Sequence, residues 1–205
     1  MNSKSPSAKR GPKPNINTRD NLLRAGVNML HSAGYAASGI QDIVTVAGVP
    51  KGSFYNHFAS KEAFGREVVD YYFSSGLPDL KAALTDPQVL PLHRLRNYFE
   101  QKTRFFNESG FVRGCLMGNL SLEIADHSEV IRDNIAANFM LWSKLIEDCI
   151  AQAQEFGTMR NPISAPVLAQ FILNSWEGAL LRMRVEKDDS PLKDFSEVVF
   201  GSVLI

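Results

Sequence analysis

The segment from Ser38 to Phe58 constrains the fold of this chain more than any other part of the sequence. Its first half has apolar residues at i, i+3, i+4 and i+7, the spacing of a helix with one buried face: Ile40, Ile43, Val44 and Ala47. Ser38 and Gln41 fit a capping box at the start of this helix. Gly48 can end it, and Pro50 suits the first turn of a second helix. We therefore predict two short helices joined by a tight turn, a helix-turn-helix unit.

The second helix, predicted from Pro50 to about Phe58, combines core residues with a polar face. Phe54 and Phe58 can pack against the core, which leaves the polar side chains of the helix facing outward. Such groups can donate to phosphates and reach base edges in the major groove of DNA. We predict DNA contacts from Lys51, Gly52, Ser53, Tyr55, Asn56 and His57, with Thr45 on the helix before and Lys61 on the helix after. A merely solvated helix would also be polar, and the preceding helix and turn are what favour DNA.

The charge of the chain is polarised, although its net value is zero. Residues 1–66 carry nine Lys and Arg against three acidic residues, a net charge of +6. The remainder carries 13 basic and 19 acidic residues, a net charge of −6. A basic N-terminal third on an acidic body indicates that one part of the protein meets a polyanion and the other does not.

The sequence of this region resembles the TetR family of bacterial transcription regulators. The resemblance covers about Thr18 to Arg66 and lies in five short motifs: Gly34-Tyr35, Ile40 to Ala47, Ala47-Gly48-Val49, Lys51 to Phe58, and Ser60-Lys61-Glu62. It implies a homodimer that binds pseudo-palindromic double-stranded operator DNA. It also implies that a small-molecule effector in the body releases the DNA, which is typical of a repressor.

We predict an all-α protein with a three-helix head containing the helix-turn-helix and a larger helical body for ligand binding and dimerisation. The expected boundaries are a flexible basic arm at 1–17, the DNA-binding domain at 18–62 and the body at 63–205. In the arm, Lys9, Arg10 and Lys13 could follow a phosphate backbone or enter a minor groove. A tail that only adds solubility is the alternative.

Apolar periodicity places five helices in the body. They run from Ser60 to about Ser75, Leu90 to Asn107, Ser128 to Phe156, Ala165 to Glu186, and Leu192 to Leu204. Gly76 and Pro78 should end the first of them. The resemblance implies that the last two pair with their copies as a four-helix bundle, and we expect Trp176 and Phe200 in that interface.

The segment Gly114 to Glu123 is dominated by small and apolar residues. Its Gly-Cys-Leu-X-Gly-Asn-Leu pattern is similar to that of a TetR subgroup that includes repressors responding to electrophiles such as quinones and acrylate-type compounds. This similarity implies a sensing role for Cys115, and Arg113 with the helix N-terminus could lower its pKa. An inert core cysteine is the alternative. The effector pocket is expected to include Tyr72, Phe99, Phe106, Met117, Trp142 and Trp176.

Two other classes of protein fit the sequence less well. A cysteine-dependent enzyme would pair Cys115 with His93 or His127, but no third orienting group stands at a recognisable spacing. A constitutive DNA-binding protein would spread its basic charge over the whole chain. Two cysteines offer no metal-ligand spacing, and neither a secretory signal nor a membrane span is present. We expect a cytoplasmic protein that is not an enzyme and needs no cofactor or metal.

Overall fold

A computed structural model of the chain describes residues 17–205 and shows an entirely helical fold. Within this range there are nine α-helices and no strand: α1 (Thr18–Ala33), α2 (Ile40–Ala47), α3 (Lys51–Tyr55), α4 (Lys61–Thr85), α5 (Pro91–Glu108), α6 (Leu116–Ile124), α7 (Glu129–Glu155), α8 (Ala165–Glu186) and α9 (Ser190–Val198). A π-helical turn, Val199–Val203, continues α9. The predicted all-α class is confirmed. The arm residues Lys9, Arg10 and Lys13 lie outside the described range.

The head is formed by α1, α2, α3 and the start of α4 around an aromatic core. The rings of Phe54 and Phe58 both pack against Phe64, with centroids 5.1 and 4.9 Å apart. All three side chains are fully buried, so the short α3 is fixed to the head by the two phenylalanines that the sequence singled out. Burial of an aromatic side chain is worth several kcal/mol, about 3–5 by truncation to alanine.

The start of α2 differs from the prediction. Gly39 occupies the N-cap position, and the buried Ser38 hydroxyl instead donates to the Gly34 carbonyl at 2.6 Å. The Gln41 amide points along α2 towards Thr45, 3.5 Å away. The predicted capping box is therefore wrong, because Ser38 closes the loop after α1. Gly48 does end α2, with a φ of 68° that favours glycine.

The long helix α4 joins the head to the body. Its N-cap is Ser60, whose hydroxyl accepts the Ala63 N–H at 3.0 Å, and the helix continues to Thr85 through Pro78. The predicted break near Gly76 and Pro78 is wrong. Pro78 is exposed and cannot donate to the Ser74 carbonyl, but apolar side chains on both sides of it are buried in the body and hold the helix together: Phe73, Leu80 and Leu84.

In the body, α7 packs between α4 and α8, and α9 folds back onto α8. The centre of the body is an aromatic cluster in which the Trp176 ring lies 4.9 Å from Phe99 and 5.1 Å from Phe195. Phe200 joins this cluster at its edge, 6.4 Å from Phe99. Trp176 and Phe200 are thus buried within one chain, and their predicted place in a dimer interface is wrong.

The structure also bears on membrane insertion. Of the helices between residues 17 and 205, none combines the length and apolar character needed to cross a membrane.

The crossing of α1 and α4 depends on the absence of a side chain at Gly26. A Cβ there would lie 2.5 Å from both Phe64 Cζ and Val68 Cγ2. Gly26→Ala should lower the free energy of unfolding by about 1–3 kcal/mol through overpacking, measured by urea denaturation. Gly76→Ala is the matched control, because a Cβ at this helical position meets open space and should stabilise by about 0.5–1 kcal/mol. Equal stability of the two variants would contradict the close packing.

Candidate DNA interface and effector site

The predicted DNA-contacting residues of α2 and α3 lie at the surface of the head. Thr45, Lys51, Gly52, Tyr55 and Asn56 are exposed, and Ser53 and His57 are half-buried. Tyr55 is unusually exposed for a large aromatic residue, because 56% of its surface is left in solvent. A short helix fixed by buried phenylalanines and presenting cationic, hydroxyl and amide groups can enter a major groove.

Lys61 is engaged differently from the other predicted contacts. Its ammonium donates to the carbonyl of Tyr35 at 2.7 Å and to that of Ala36 at 3.4 Å, and it stands 4.5 Å from the centre of the Tyr35 ring. Burial lowers the pKa of Lys61, while the charge of Glu123 opposes the shift. To contact a phosphate, this side chain would have to give up its hydrogen bonds to the carbonyls of the turn after α1.

The same turn is held from the body by Glu123 on α6, which the sequence analysis did not select. Its carboxylate accepts the backbone N–H of Tyr35 at 2.8 Å and that of Ala36 at 2.6 Å. Hydrogen bonds to a charged acceptor are worth about 1.5–3 kcal/mol each. The only sequence signal is an acidic residue in an otherwise apolar segment, which does not reveal a partner 88 positions away. Glu123 attaches the C-terminal end of α6 to the head.

The N-terminal end of α6 also contacts the head. His31 Nε2 on α1 lies 2.9 Å from the carbonyl of Gly114, the residue before Cys115. The His31 ring meets Tyr72 edge-on at 5.5 Å. Burial lowers the pKa of His31, and the bond to Gly114 opposes that shift, so the imidazole is neutral at pH 7. A movement of α6 would therefore pull on α1 at one end and on the turn after α1 at the other.

A cavity of about 420 Å³ lies in the body beside the start of α6. Most predicted pocket residues line it, namely Tyr72, Phe106, Cys115, Met117, Trp142 and Trp176. Phe99 does not, because its ring is packed into the aromatic core against Trp176 and Phe195. The polar residues of the lining that the sequence analysis did not place in the pocket are His31, Ser75, Tyr98, Lys102 and Arg113. The cavity is the right size for a small organic molecule.

Cys115 stands at the N-cap of α6 and is buried. Burial raises the pKa of its thiol well above the usual value and the charge of Glu177 raises it further, while the N–H groups of Gly118 and Met117 act in the opposite direction. The predicted activation by Arg113 is wrong. The Arg113 side chain is exposed and donates to Asn28 Oδ1 at 3.5 Å, and it is not among the groups that shift the pKa of the thiol.

Glu177 on α8 is the second residue that the sequence analysis missed. Its carboxylate is buried, and a Cβ at Gly118 would overlap its Oε2 atom. The missing side chain at Gly118 is what makes room for the acid beside Cys115. Burial raises the pKa of Glu177 to about 7, although the Cys115 thiol lowers it. Among the described residues, the Oε1 atom has no hydrogen-bond partner.

The arrangement does not resemble a catalytic triad or a metal centre. His93 and His127, the bases considered for a cysteine enzyme, are exposed and are not part of the cavity lining that contains Cys115. Between residues 17 and 205, no three His, Cys, Asp or Glu side chains converge so that they could hold a metal ion. The second cysteine, Cys149, is buried, and its thiol donates to the Pro91 carbonyl at 3.0 Å.

Glu177 should make stability depend on pH. Its folded pKa of about 7 lies above the usual 4.5, so stability should fall as pH rises from 4.5 towards 7 and should level off once the buried acid also ionises in the folded protein. Glu177→Gln cannot ionise and should be more stable than the wild type at pH 8 by on the order of 3 kcal/mol, but similar below pH 5. Glu147→Gln on α7 is the matched control. Parallel stability curves for the wild type and Glu177→Gln, from denaturation at several pH values, would contradict the buried carboxylate.

Comparison with known proteins agrees with this geometry. The family described as "Bacterial regulatory proteins, tetR family" matches residues 22–68, and the one described as "Tetracyclin repressor-like, C-terminal domain" matches residues 91–199. The chain is 40% identical over 186 residues to the HTH-type transcriptional repressor DhaR of Mycobacterium sp. (strain GP1), covering 91% of this chain and 92% of the relative.

Two solved structures are similar over nearly the whole fold. The regulatory protein TetR from Rhodobacter sphaeroides superposes with a TM-score of 0.85 at 31% identity, covering 92% of this chain and 100% of the other. The reduced form of Escherichia coli NemR gives a TM-score of 0.85 at 27% identity, covering 90% and 96%. The head, the helical body and these relatives together show that the chain is a DNA-binding transcription regulator and belongs to the TetR family.

Proposed function

We propose that the chain is a homodimeric repressor of the cytoplasm, released from its operator when a small electrophilic molecule enters the cavity and reacts with Cys115. One observation carries this proposal: α6 begins at the cavity with Cys115 and ends at the head with the Glu123 bonds to Tyr35 and Ala36. Repression rather than activation is supported by a relative that is 40% identical and is named as a transcriptional repressor.

The dimer would bind DNA by placing one copy of α3 in the major groove of each half-site of a pseudo-palindromic operator. The residues proposed to contact it are Thr45 on α2 and, in α3 and just after it, Lys51, Gly52, Ser53, Tyr55, Asn56 and His57, with Lys9, Arg10 and Lys13 of the arm following the backbone. Lys61 would contribute only after leaving its carbonyl partners. The half-site spacing would then be set by the geometry of the dimer.

The dimer surface is supported by an apolar stripe along α8. Exposed positions recur every three or four residues on one side of this helix, at Val167, Phe171, Asn174, Gly178, Leu181 and Val185. Four of them are large apolar side chains left 43–83% exposed in the single chain. A Cβ at Gly178 would meet open space, so a second helix could approach closely there. Trp176 lies on the opposite, buried side of α8.

Release of DNA would proceed through α6. A covalent adduct on Cys115 adds bulk where the thiol, Met117 and the Gly118 backbone are already packed, and overpacking of this kind costs about 1–3 kcal/mol. Shifting α6 relieves the strain and disturbs its bonds to His31 and to the turn after α1. An effector that binds the shifted state better than the DNA-bound state lowers operator affinity by that difference.

A phosphate contact from α3 is testable by salt dependence. Lys51→Ala should weaken binding to operator and unrelated DNA by a similar factor and reduce the slope of log K against log salt by about one. The control is Lys144→Ala, which removes an exposed body lysine that pairs with Glu147 and Asp148. Fluorescence anisotropy between 50 and 200 mM salt would measure both. An unchanged affinity and slope for Lys51→Ala would contradict its role.

The α8 surface predicts which substitutions separate the subunits. Leu181→Asp puts a charge at a position that is exposed in one chain and buried in the dimer, so we expect a folded monomer by sedimentation and circular dichroism. Leu90→Asp, at the exposed N-cap of α5, should remain dimeric. An obligate interface of this kind buries roughly 2,000 Å² or more. A Leu181→Asp protein that sediments as the wild type does would exclude this interface.

The sensing role of Cys115 is tested by chemical modification. Treatment with N-ethylmaleimide or a quinone should release operator DNA from the wild type, with Cys115 alkylated and Cys149 largely spared in peptide mass spectra. Cys115→Ser should keep its DNA under the same treatment. Release that persists undiminished in Cys115→Ser would show that the effector acts without this thiol.

A further inference from the structure

We propose that Glu177 is the proton acceptor for Cys115 when the thiol adds to a conjugated carbonyl electrophile, and that it then returns the proton to the adduct. This inference rests on the proposed electrophile response and assigns a role to a residue outside the cavity lining.

The carboxylate of Glu177 reaches the thiol because α6 has no side chain at Gly118. A Cβ at that position would overlap Glu177 Oε2 and would stand 3.7 Å from Cys115 Cβ, so the acid and the cysteine flank the same gap. The two groups are close enough to shift each other's pKa: the charge of Glu177 raises that of the thiol, and the thiol lowers that of Glu177. Glu177 lies on α8 and Cys115 at the start of α6, so the packing of these two elements fixes the pair.

The thiol cannot ionise easily by itself. It is buried, and the groups that face it are the carboxylate of Glu177, the phenols of Tyr72 and Tyr98 and, from the cavity wall, the ammonium of Lys102. Burial raises the pKa values of both tyrosines and lowers that of Lys102. Two negative charges in one buried pair are strongly disfavoured, so the cysteine and the glutamate share a single charge. That charge can pass to sulfur only if the proton passes to Glu177.

The cavity offers a donor for the other end of such an electrophile. Trp142 is 8% exposed and lines the cavity, and its indole N–H has no acceptor in hydrogen-bonding geometry among the described residues. The Tyr98 hydroxyl is its polar neighbour, and the N–H lowers the pKa of that phenol although the two groups do not meet in hydrogen-bonding geometry. A buried unpaired N–H is costly, and a carbonyl oxygen of a ligand would satisfy it. This donor favours an electrophile that carries a carbonyl next to its reactive double bond.

The chemical step balances without an oxidant or a leaving group. Sulfur forms a bond to the β-carbon, the π electrons of the double bond move to the α-carbon and carbonyl, and the S–H proton moves to Glu177. Glu177 then gives this proton to the α-carbon. The product is a thioether, and Glu177 is again a carboxylate but has lost the thiol that donated to it.

The test is the rate of Cys115 alkylation by N-ethylmaleimide in the full-length protein, followed by peptide mass spectrometry from pH 5.5 to 9. In the wild type the rate should rise with pH through an inflection near 7, where Glu177 ionises, and then level off. Glu177→Gln should react about tenfold or more slowly at pH 7.5 and lose that inflection, because positioned proton transfer contributes at least this much. Gly118→Ala, which displaces the carboxylate by its added methyl group, should be slowed in the same way.

Two controls separate this role from others. Glu147→Gln should react as the wild type does, and Lys102→Met should keep the inflection near 7. Either of two results for Glu177→Gln would overturn the proposal. An unchanged rate would show that the carboxylate plays no part, and a faster rate would show that it merely suppresses formation of the thiolate. Loss of the inflection in Lys102→Met would assign the proton to the lysine instead.

If the wild type is alkylated in the Glu177-dependent way but keeps its DNA, the proposed response fails and the role of Glu177 stands. If Cys115 is not alkylated at all, both fail.

Discussion

The carboxylate of Glu123 accepts two backbone N–H groups of the turn that follows α1, and the position of the head on the body depends on this contact. The turn cannot satisfy these donors within the head, because α1 has ended at Ala33 and α2 begins only at Ile40. The ammonium of Lys61 donates to the carbonyls of the same two residues. Head and body are therefore joined by directional bonds in addition to the continuous helix α4, and directional bonds respond to small displacements more sharply than apolar contacts do.

The helix α8 serves two surfaces at once. One side carries Trp176 and the buried carboxylate of Glu177, and the other carries the exposed stripe that includes Phe171 and Leu181. The buried acid lowers stability at neutral pH, because its ionised form lacks a full set of partners. A residue that costs stability and lies beside the one cysteine of the cavity lining fits a role in the chemistry of that cysteine.

Local patterns were sufficient to predict most of the fold. The bounds Ala165–Glu186 of α8 follow from apolar periodicity and flanking proline, and the helix-turn-helix follows from Gly48 and the spacing of Phe54 and Phe58. The errors arose where distant packing outweighs a local preference. Pro78 stays inside α4 because residues on both sides of it are buried, and Ser38 bonds backward to Gly34 instead of capping α2. Within the site, Glu123 and Glu177 were missed because their partners are 50 or more residues away in the sequence.

The central claim is that modification at the cavity loosens the head through α6, and amide hydrogen exchange tests it most directly. The N–H groups of Tyr35 and Ala36 are protected by Glu123. After Cys115 is alkylated with N-ethylmaleimide, these two amides should exchange faster, whereas amides in the middle of α7 should be unaffected. Release of DNA without any change in exchange at Tyr35 and Ala36 would contradict transmission through α6.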